Sequence, residues 1–178
     1  SLLMAKIKQI FILFSLLLST LIYSQIKIGA EKIISYLPIL KDKKVSIVGN
    51  QTSMIGKTHL VDSLLSLKVD LVKIFSPEHG FRGQEDAGLN IKNIIDTKTG
   101  LPIISLYGKD KKPTGIQLKG IDIIIFDIQD VGVRFYTYIS TLHYVMEACA
   151  ENNIKVIVFD RPNPNGHYVD GPILEEKF

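Results

Sequence analysis

Ile121-Asp122-Ile123-Ile124-Ile125-Phe126-Asp127 is the stretch on which the fold turns. Its apolar run is broken only by Asp122, and it is almost entirely β-branched. A strand with one wet face alternates apolar and polar residues, whereas a strand buried on both faces reads as a continuous apolar run. The stretch therefore predicts a parallel sheet covered by helices on both sides. Working outward, comparable runs occupy residues 45–49, 71–75, 101–106 and 155–160. Between them, apolar residues recur at helical spacing: Ile28, Ile33, Ile34, Leu37 and Leu40; then Leu60, Val61, Leu64 and Leu65; then Tyr138, Leu142, Val145, Met146 and Cys149. Pro113 and Thr114 open a short helical turn reaching Leu118. Strand and helix alternate along the chain, so the expected fold class is α/β, with a mainly parallel sheet flanked by helices.

The chain has 178 residues, 46% hydrophobic and 22% charged, which suits one domain with one core. Its first 24 residues read as a secretory signal peptide. Lys6 and Lys8 form a basic start, residues 10–22 are almost wholly apolar, and Tyr23-Ser24-Gln25 offers a small residue for cleavage. The apolar part is short for a membrane span, and an uncleaved anchor helix is the alternative. The sole cysteine, Cys149, sits on a helical stripe as a small core residue. It can neither form an internal disulfide nor take a lipid at the end of the apolar run. The expected location is therefore periplasmic or secreted, with no stable membrane anchor after cleavage. The net charge of +3 falls to +1 without Lys6 and Lys8, so nothing calls for a nucleic-acid partner. The chain starts at Ser1 with Met4 close behind, and stops at Phe178 in a charged stretch. The expectation is a fragment, with residues 25–178 forming a catalytic domain truncated at its C-terminal side.

In a parallel sheet the C-terminal ends of the strands share one edge, and ligands bind in the crevice there. Here every such end carries polar residues: Asn50 and Gln51; Glu78 and His79; Tyr107; Asp127, Gln129, Asp130 and Arg134; Asp160, Arg161, Asn163 and Asn165. Any one of these residues has a plain alternative, since a strand-end Asp commonly caps a helix or ties down its own loop. As a set, carboxylates, amides and aromatics suit a polyhydroxylated ligand, whose hydroxyls they hydrogen-bond and whose ring stacks on Tyr or Phe. Glycoside hydrolysis needs a carboxylic acid to protonate the leaving oxygen and a second group as base, nucleophile or stabiliser. Glu78 follows Pro77 and lies near Phe75 and Phe81 in sequence, so desolvation is expected to raise its pKa toward an acid role. Two other chemistries compete. Gly56-Lys57-Thr58 has part of a phosphate-binding loop, but the glycine required five positions before Gly56 is Gln51. Glu78, His79, Asp127 and Asp160 are residue types that bind a divalent metal, though no fixed ligand spacing joins them.

Ser76-Pro77-Glu78-His79-Gly80-Phe81-Arg82-Gly83 and Asp86-Ala87-Gly88 are followed by Thr99-Gly100-Leu101-Pro102 and Ser105-Leu106-Tyr107-Gly108. Further on come Phe126-Asp127-Ile128-Gln129-Asp130-Val131-Gly132-Val133-Arg134-Phe135-Tyr136-Thr137-Tyr138-Ile139 and Asp160-Arg161-Pro162-Asn163-Pro164-Asn165-Gly166. In this order and register, from about Val45 to Leu174, the chain closely resembles the exo-β-N-acetylmuramidase (NamZ-like) family. In Asp170-Gly171-Pro172-Ile173-Leu174 it departs mildly, with Asp where Glu is common. The resemblance implies a Rossmann-like N-terminal domain joined to a smaller C-terminal one, and no cofactor. It implies release of N-acetylmuramic acid from the non-reducing end of peptidoglycan fragments, with muropeptides or muramic-acid disaccharides as partners. It implies catalytic roles for Glu78, the general acid, and His79. Asn50, Gln51, Arg82, Tyr107, Asp127, Gln129, Asp130, Arg134, Tyr136, Asp160, Arg161 and Asn163 are the expected substrate-binding set. Arg134, with Arg82 as runner-up, is expected to hold the lactyl carboxylate, because a guanidinium grips a carboxylate bidentately. A non-catalytic muropeptide-binding domain using the same crevice is the alternative function.

Overall fold

A computed structural model describes residues 2–19, 26–78, 80–83, 94–175 and 177. The N-terminal helix α1 (Leu2–Ser19) precedes the globular part, and its residues 2–14 are exposed. Among the described residues no helix is long and apolar enough to cross a membrane. The expected cleavage site at residues 23–25 lies outside the described residues.

The globular part follows as a 3-10 turn (Gly29–Glu31), α2 (Ile33–Leu40), β1 (Lys44–Gly49), β2 (Met54–Ile55), β3 (Thr58–His59), α3 (Leu60–Ser66) and β4 (Asp70–Ser76). It continues with β5 (Ile94–Ile95), β6 (Pro102–Ser105), α4 (Gly115–Leu118), β7 (Ile123–Asp127), α5 (Tyr138–Glu151) and β8 (Lys155–Val158). The main sheet runs β5-β6-β4-β1-β7-β8. All of its pairings are parallel except β5 with β6. The chain thus winds outward from β1 to β4 and β6, then returns to the other side of β1 for β7 and β8. That reversal beside β1 is the topological switch point of a doubly wound α/β fold, the place where such sheets open a crevice at their C-terminal edge.

Side-chain alternation along the central strands fills two separate cores. Val45, Ile47, Ile74, Ile103, Ile123 and Ile125 pack with Tyr36 and Leu40 of α2 and Leu60, Val61 and Leu64 of α3. Val48, Phe75, Ile104, Ile124 and Phe126 face the other way, onto Leu118 of α4 and Val145, Ala148 and Cys149 of α5. Every residue of β7 is buried, as its isoleucine run requires. Cys149 is core, and burial pushes its thiol up to about 11. On α5 the stripe is rotated from the expected one: Met146 is half exposed, while Thr141 and Ala148 face inward.

Two small elements escaped the sequence reading. Residues 54–59 form an antiparallel hairpin, β2–β3, with Gly56 and Lys57 as its turn, Gly56 at φ 56°. The Gly-Lys-Thr stretch is therefore a hairpin tip and not a loop opening a helix onto phosphate. Ile94–Ile95 adds an antiparallel edge beside β6.

Candidate functional site at the C-terminal sheet edge

The turn after β1 is tied to itself and to β7. Asn50 N donates to Ser53 Oγ at 3.0 Å, and Ser53 N returns a bond to Asn50 O at 3.0 Å. Ser53 Oγ donates to the Asp127 carbonyl at the end of β7. Asn50 Oδ1 accepts from Thr52 N at 2.9 Å and from Thr52 Oγ1 at 2.6 Å, and Gln129 N in turn donates to Thr52 Oγ1 at 3.0 Å. His59, which caps α3 by accepting from Val61 N at Nδ1, must carry its proton on Nε2, and donates it to Asn50 O at 2.9 Å. Burial lowers the pKa of His59, which favours this neutral form. Asn50 is fully buried, and its side-chain amide stands by the Tyr138 phenol.

The loop after β4 folds back over the same turn. Gly80 and Gly83 adopt φ of 75° and 71°, values that favour glycine. A Cβ on Gly83 would stand 3.1 Å from Gln51 Cβ, so the two loops touch. Phe81 is buried in the α2/α3 core and meets His59 edge-on, centroids 4.5 Å apart. Phe75 is buried in the opposite core. Neither ring is left to wall off Glu78, which is half-buried. Arg82 grips Asp96 through Nε at 2.8 Å and Nη2 at 2.8 Å, and reaches Asp62 of α3 at 3.1 Å and 3.3 Å. The expected carboxylate grip of Arg82 is therefore occupied from within the protein.

The residues after β7 and β8 divide in the same way. Asp127 is fully buried and accepts from Arg161 Nε at 2.6 Å and Nη2 at 2.9 Å; Nη2 also bonds Met54 O at 2.9 Å. Burial raises the Asp127 carboxyl above the usual range, with the guanidinium opposing that shift. Asp127 and Arg161, both expected in the substrate-binding set, pair with each other. Both Asp127 oxygens are engaged by the guanidinium. Among the described residues no three His, Cys, Asp or Glu side chains gather to hold a metal ion. Gln129 bridges loops through Nε2 to Asp130 O at 2.7 Å and Pro162 O at 2.9 Å. Asp130 Oδ1 accepts from Gly132 N and Asn163 Oδ1 from Asn165 N, each tying down its own turn. Gly132, at φ 66°, lies so close to Asn163 that a Cβ would come within 2.3 Å of Nδ2.

The remaining expected residues face outward. Gln51, Arg134, Tyr136 and Tyr107 are exposed at the edge, and Arg134 makes no ion pair among the described residues. Asp160 is exposed and lines a cavity of about 120 Å³ with Asp130, Arg161 and Tyr138. His79 and the Asp86-Ala87-Gly88 motif lie outside the described residues. Tyr138, which the sequence reading assigned only to a helical stripe, opens α5 with 8% of its surface exposed, its ring centroid 6.1 Å from that of Tyr136. Burial is the main cause that raises its pKa. The charges of Tyr136 and Glu78 act in the same direction, and the nearby Asn50 amide acts against them. Glu78, Asn50 and Tyr138 thus come within electrostatic reach around the phenol. Only Tyr138's place at the head of the predicted helical stripe hinted at this in the sequence.

A further cavity of about 160 Å³ lies on the outer side of the loop after β4, lined by Ser76, Phe81, Arg82, Ile94 and Asp96. Neither Glu78 nor Asn50 lines it.

Most of the chain is similar to known proteins. A curated relative, the peptidoglycan β-N-acetylmuramidase NamZ of Bacillus subtilis (strain 168), is 47% identical over 150 residues, which is 79% of this chain and 36% of that protein. Two solved DUF1343 family proteins of Bacteroides fragilis NCTC 9343 superpose with a TM-score of 0.74 each, at 52% and 42% identity. These alignments cover 86% and 85% of this chain, and 40% and 38% of theirs. The chain therefore spans well under half the length of the relatives it matches. The family model described as "Exo-beta-N-acetylmuramidase NamZ, N-terminal" matches residues 45–178, from the first residues of β1 through every strand end described above, and to that family this chain belongs.

Proposed function

We propose that this chain is the Rossmann-like part, residues 25–178, of an exo-acting glycoside hydrolase that releases N-acetylmuramic acid from the non-reducing end of peptidoglycan fragments. The protein works in cell-wall turnover and recycling, after export by a signal peptide covering residues 1–24. The observation that carries the reading is the position of Glu78 in a chain of this family. It is a half-buried carboxylate just beyond β4, on the C-terminal edge of the sheet that also carries the exposed Arg134 and Tyr136. In the mechanism Glu78 donates a proton to the glycosidic oxygen as the bond from that oxygen to the anomeric carbon of the muramic acid breaks, and water supplies the hydroxyl that replaces it there. Arg134 holds the lactyl carboxylate, Tyr136 stacks on the ring and His79 assists Glu78. Asp127, Arg161 and Arg82 act indirectly, by fixing the loops that present these groups.

The test is Glu78→Gln in the full-length protein, assayed on a muramic-acid disaccharide and on a nitrophenyl muramide. Loss of a general acid costs on the order of 10²–10⁴-fold on the disaccharide. The loss is smaller on the nitrophenyl substrate, whose leaving group needs less protonation. A wild-type rate with Glu78→Gln on the disaccharide sinks the assignment. Calorimetric binding of muropeptides without turnover by the full-length protein establishes the binding-domain reading instead, and activity abolished by a chelator establishes the metal hydrolase.

A further inference from the structure

Helix α5 carries a second apolar stripe besides the one it buries. Its inward face is Tyr138, Thr141, Val145, Ala148 and Cys149. Ile139, Leu142 and Met146 recur at i, i+3 and i+7, which makes a separate line along the helix. Ile139 is 65% exposed and Met146 half exposed, while Leu142 is partly covered by the core beneath it. Beside this line runs β8, the last strand of the sheet, whose Val158 is half exposed as well. The two elements meet: Ile139, Leu142 and Val158 line one cavity of about 120 Å³, with Asp130 and Asp160 also in its wall. Phe135 and Tyr136, in the turn before α5, extend the exposed apolar surface toward the C-terminal edge of the sheet. A helix covering a sheet shows water its polar face, and an edge strand is usually guarded by charge or by a covering element. Here both elements show water apolar side chains at the same place, and a contiguous apolar patch of this kind marks a contact surface.

The occupant follows from the length of the relatives and from the path of the chain. The alignments cover only 36% to 40% of the relatives' own length, and the matching family model describes an N-terminal part. The chain leaving β8 is held on this same side of the sheet. Gln129 Nε2 donates to Pro162 O at 2.9 Å, and Asn165 Nδ2 to Val131 O at 2.8 Å, which tie the outgoing segment to the loop that leads into α5. That segment itself shows water Val169, Ile173 and Leu174. The other large apolar groove, about 860 Å³ with Ile34, Leu37, Leu67 and Val69 in its wall, lies at the opposite, N-terminal edge of the sheet. We propose that in the full-length protein the polypeptide that follows residue 178 packs on the α5–β8 face, with Ile139 and Val158 inside the contact. Seated there, it also borders the C-terminal edge beside Arg134 and Tyr136. The proposal stands independently of the reaction that the protein performs.

The experiment labels single cysteines in the full-length protein. Cys149 is buried in the core, so it stays silent toward a maleimide while the protein is folded. The variants are Ile139→Cys and Val158→Cys on the face, and Ile34→Cys, 92% exposed at the opposite edge, as the reference. Each replaces a surface aliphatic side chain by a smaller one, so folding is preserved. Under native conditions the cysteines at 139 and 158 are expected to react at least about 10-fold more slowly than the one at 34, because labelling then requires the covering part to open. In urea all three react at one rate. The protection is expected to persist on dilution, since the covering part belongs to the same chain. Native labelling at 139 and 158 as fast as at 34 overturns the proposal. Protection that disappears on dilution also overturns it and assigns the face to a second copy of the protein. Protection at 34 with fast labelling at 139 and 158 overturns it as well, and moves the contact to the opposite groove.

Discussion

Asp127 and Arg161 show how a residue that looks like a binding group becomes a structural one. Both sit beyond strand ends on the C-terminal edge of the sheet, which is all the sequence reveals about them. The side chains of Asp127 and Arg161 are 0% and 8% exposed, and they close a bidentate pair at 2.6 Å and 2.9 Å. A buried pair of this kind adds little over an apolar substitute, yet breaking one side leaves an uncompensated charge. Arg161→Met is therefore expected to lower the unfolding free energy by about 3–5 kcal/mol, and Asp127→Asn added to it to recover part of that loss. Urea denaturation of the four proteins of the cycle measures it. A single Arg161→Met variant within about 1 kcal/mol of wild type shows that the pair has less strength than its geometry implies. The same reasoning explains why site residues were only partly legible. Residue type and strand-end position placed Glu78, Asn50, Arg134 and Tyr136 on the C-terminal edge of the sheet, whereas the partners that engage Asp127, Arg161 and Gln129 lie 34, 34 and 33 residues away.

The loop between β4 and β6 depends on one guanidinium for its anchorage to α3 and β5. Arg82 lies on the loop, Asp62 on α3 and Asp96 just past β5, with Lys98 adding a bond to Asp62 at 2.6 Å. The guanidinium, with help from Thr99, holds the Asp96 carboxyl down at about 2 from its ordinary 3.8. A carboxylate depressed in the folded state stabilises fully above its unfolded pKa and stops doing so as pH falls through its folded one. The contribution is roughly 2 kcal/mol at neutral pH and drains away between about pH 4 and pH 2. Asp96→Asn is accordingly expected to be less stable than wild type by that amount at pH 7, and the two thermal midpoints to converge by about pH 2. A gap that stays constant across that window rules out the linkage. The principal strands and helices were readable because burial on two faces imposes continuous apolar runs and burial on one imposes helical spacing. The β2–β3 hairpin and β5 were not readable. Two residues per strand are too few to show a period, and β5 is defined by its partner β6 and not by its own exposed isoleucines.

The doubly wound order of the whole sheet was legible as a class, since alternating strands and helices leave few topologies. What periodicity could not show is how the sheet's far edge is closed. β8 is an edge strand, partly exposed along its length. The segment before α2 closes against the chain just beyond it. Gly29 N donates to Asp160 O at 2.8 Å, Tyr36 packs against Phe159 with centroids 4.5 Å apart, and Tyr36 Oη bonds Ala30 O at 2.8 Å. This contact joins the beginning of the globular part to the strand end that carries Asp160 and Arg161, so it bears on the C-terminal edge of the sheet as well as on stability. Gly29 permits it by lacking a side chain: a Cβ there would stand 2.7–2.9 Å from backbone atoms of Phe159 and Asp160, and backbone cannot swing aside as a side-chain tip can. Gly29→Ala is expected to destabilise the fold by about 1–3 kcal/mol, the usual cost of overpacking. It is also expected to raise amide exchange selectively in residues 26–40 and 159–161. If exchange rises uniformly over the chain instead, the segment belongs to the global unfolding unit. If neither stability nor exchange changes, the close approach of Gly29 to β8's end is not what holds this edge shut.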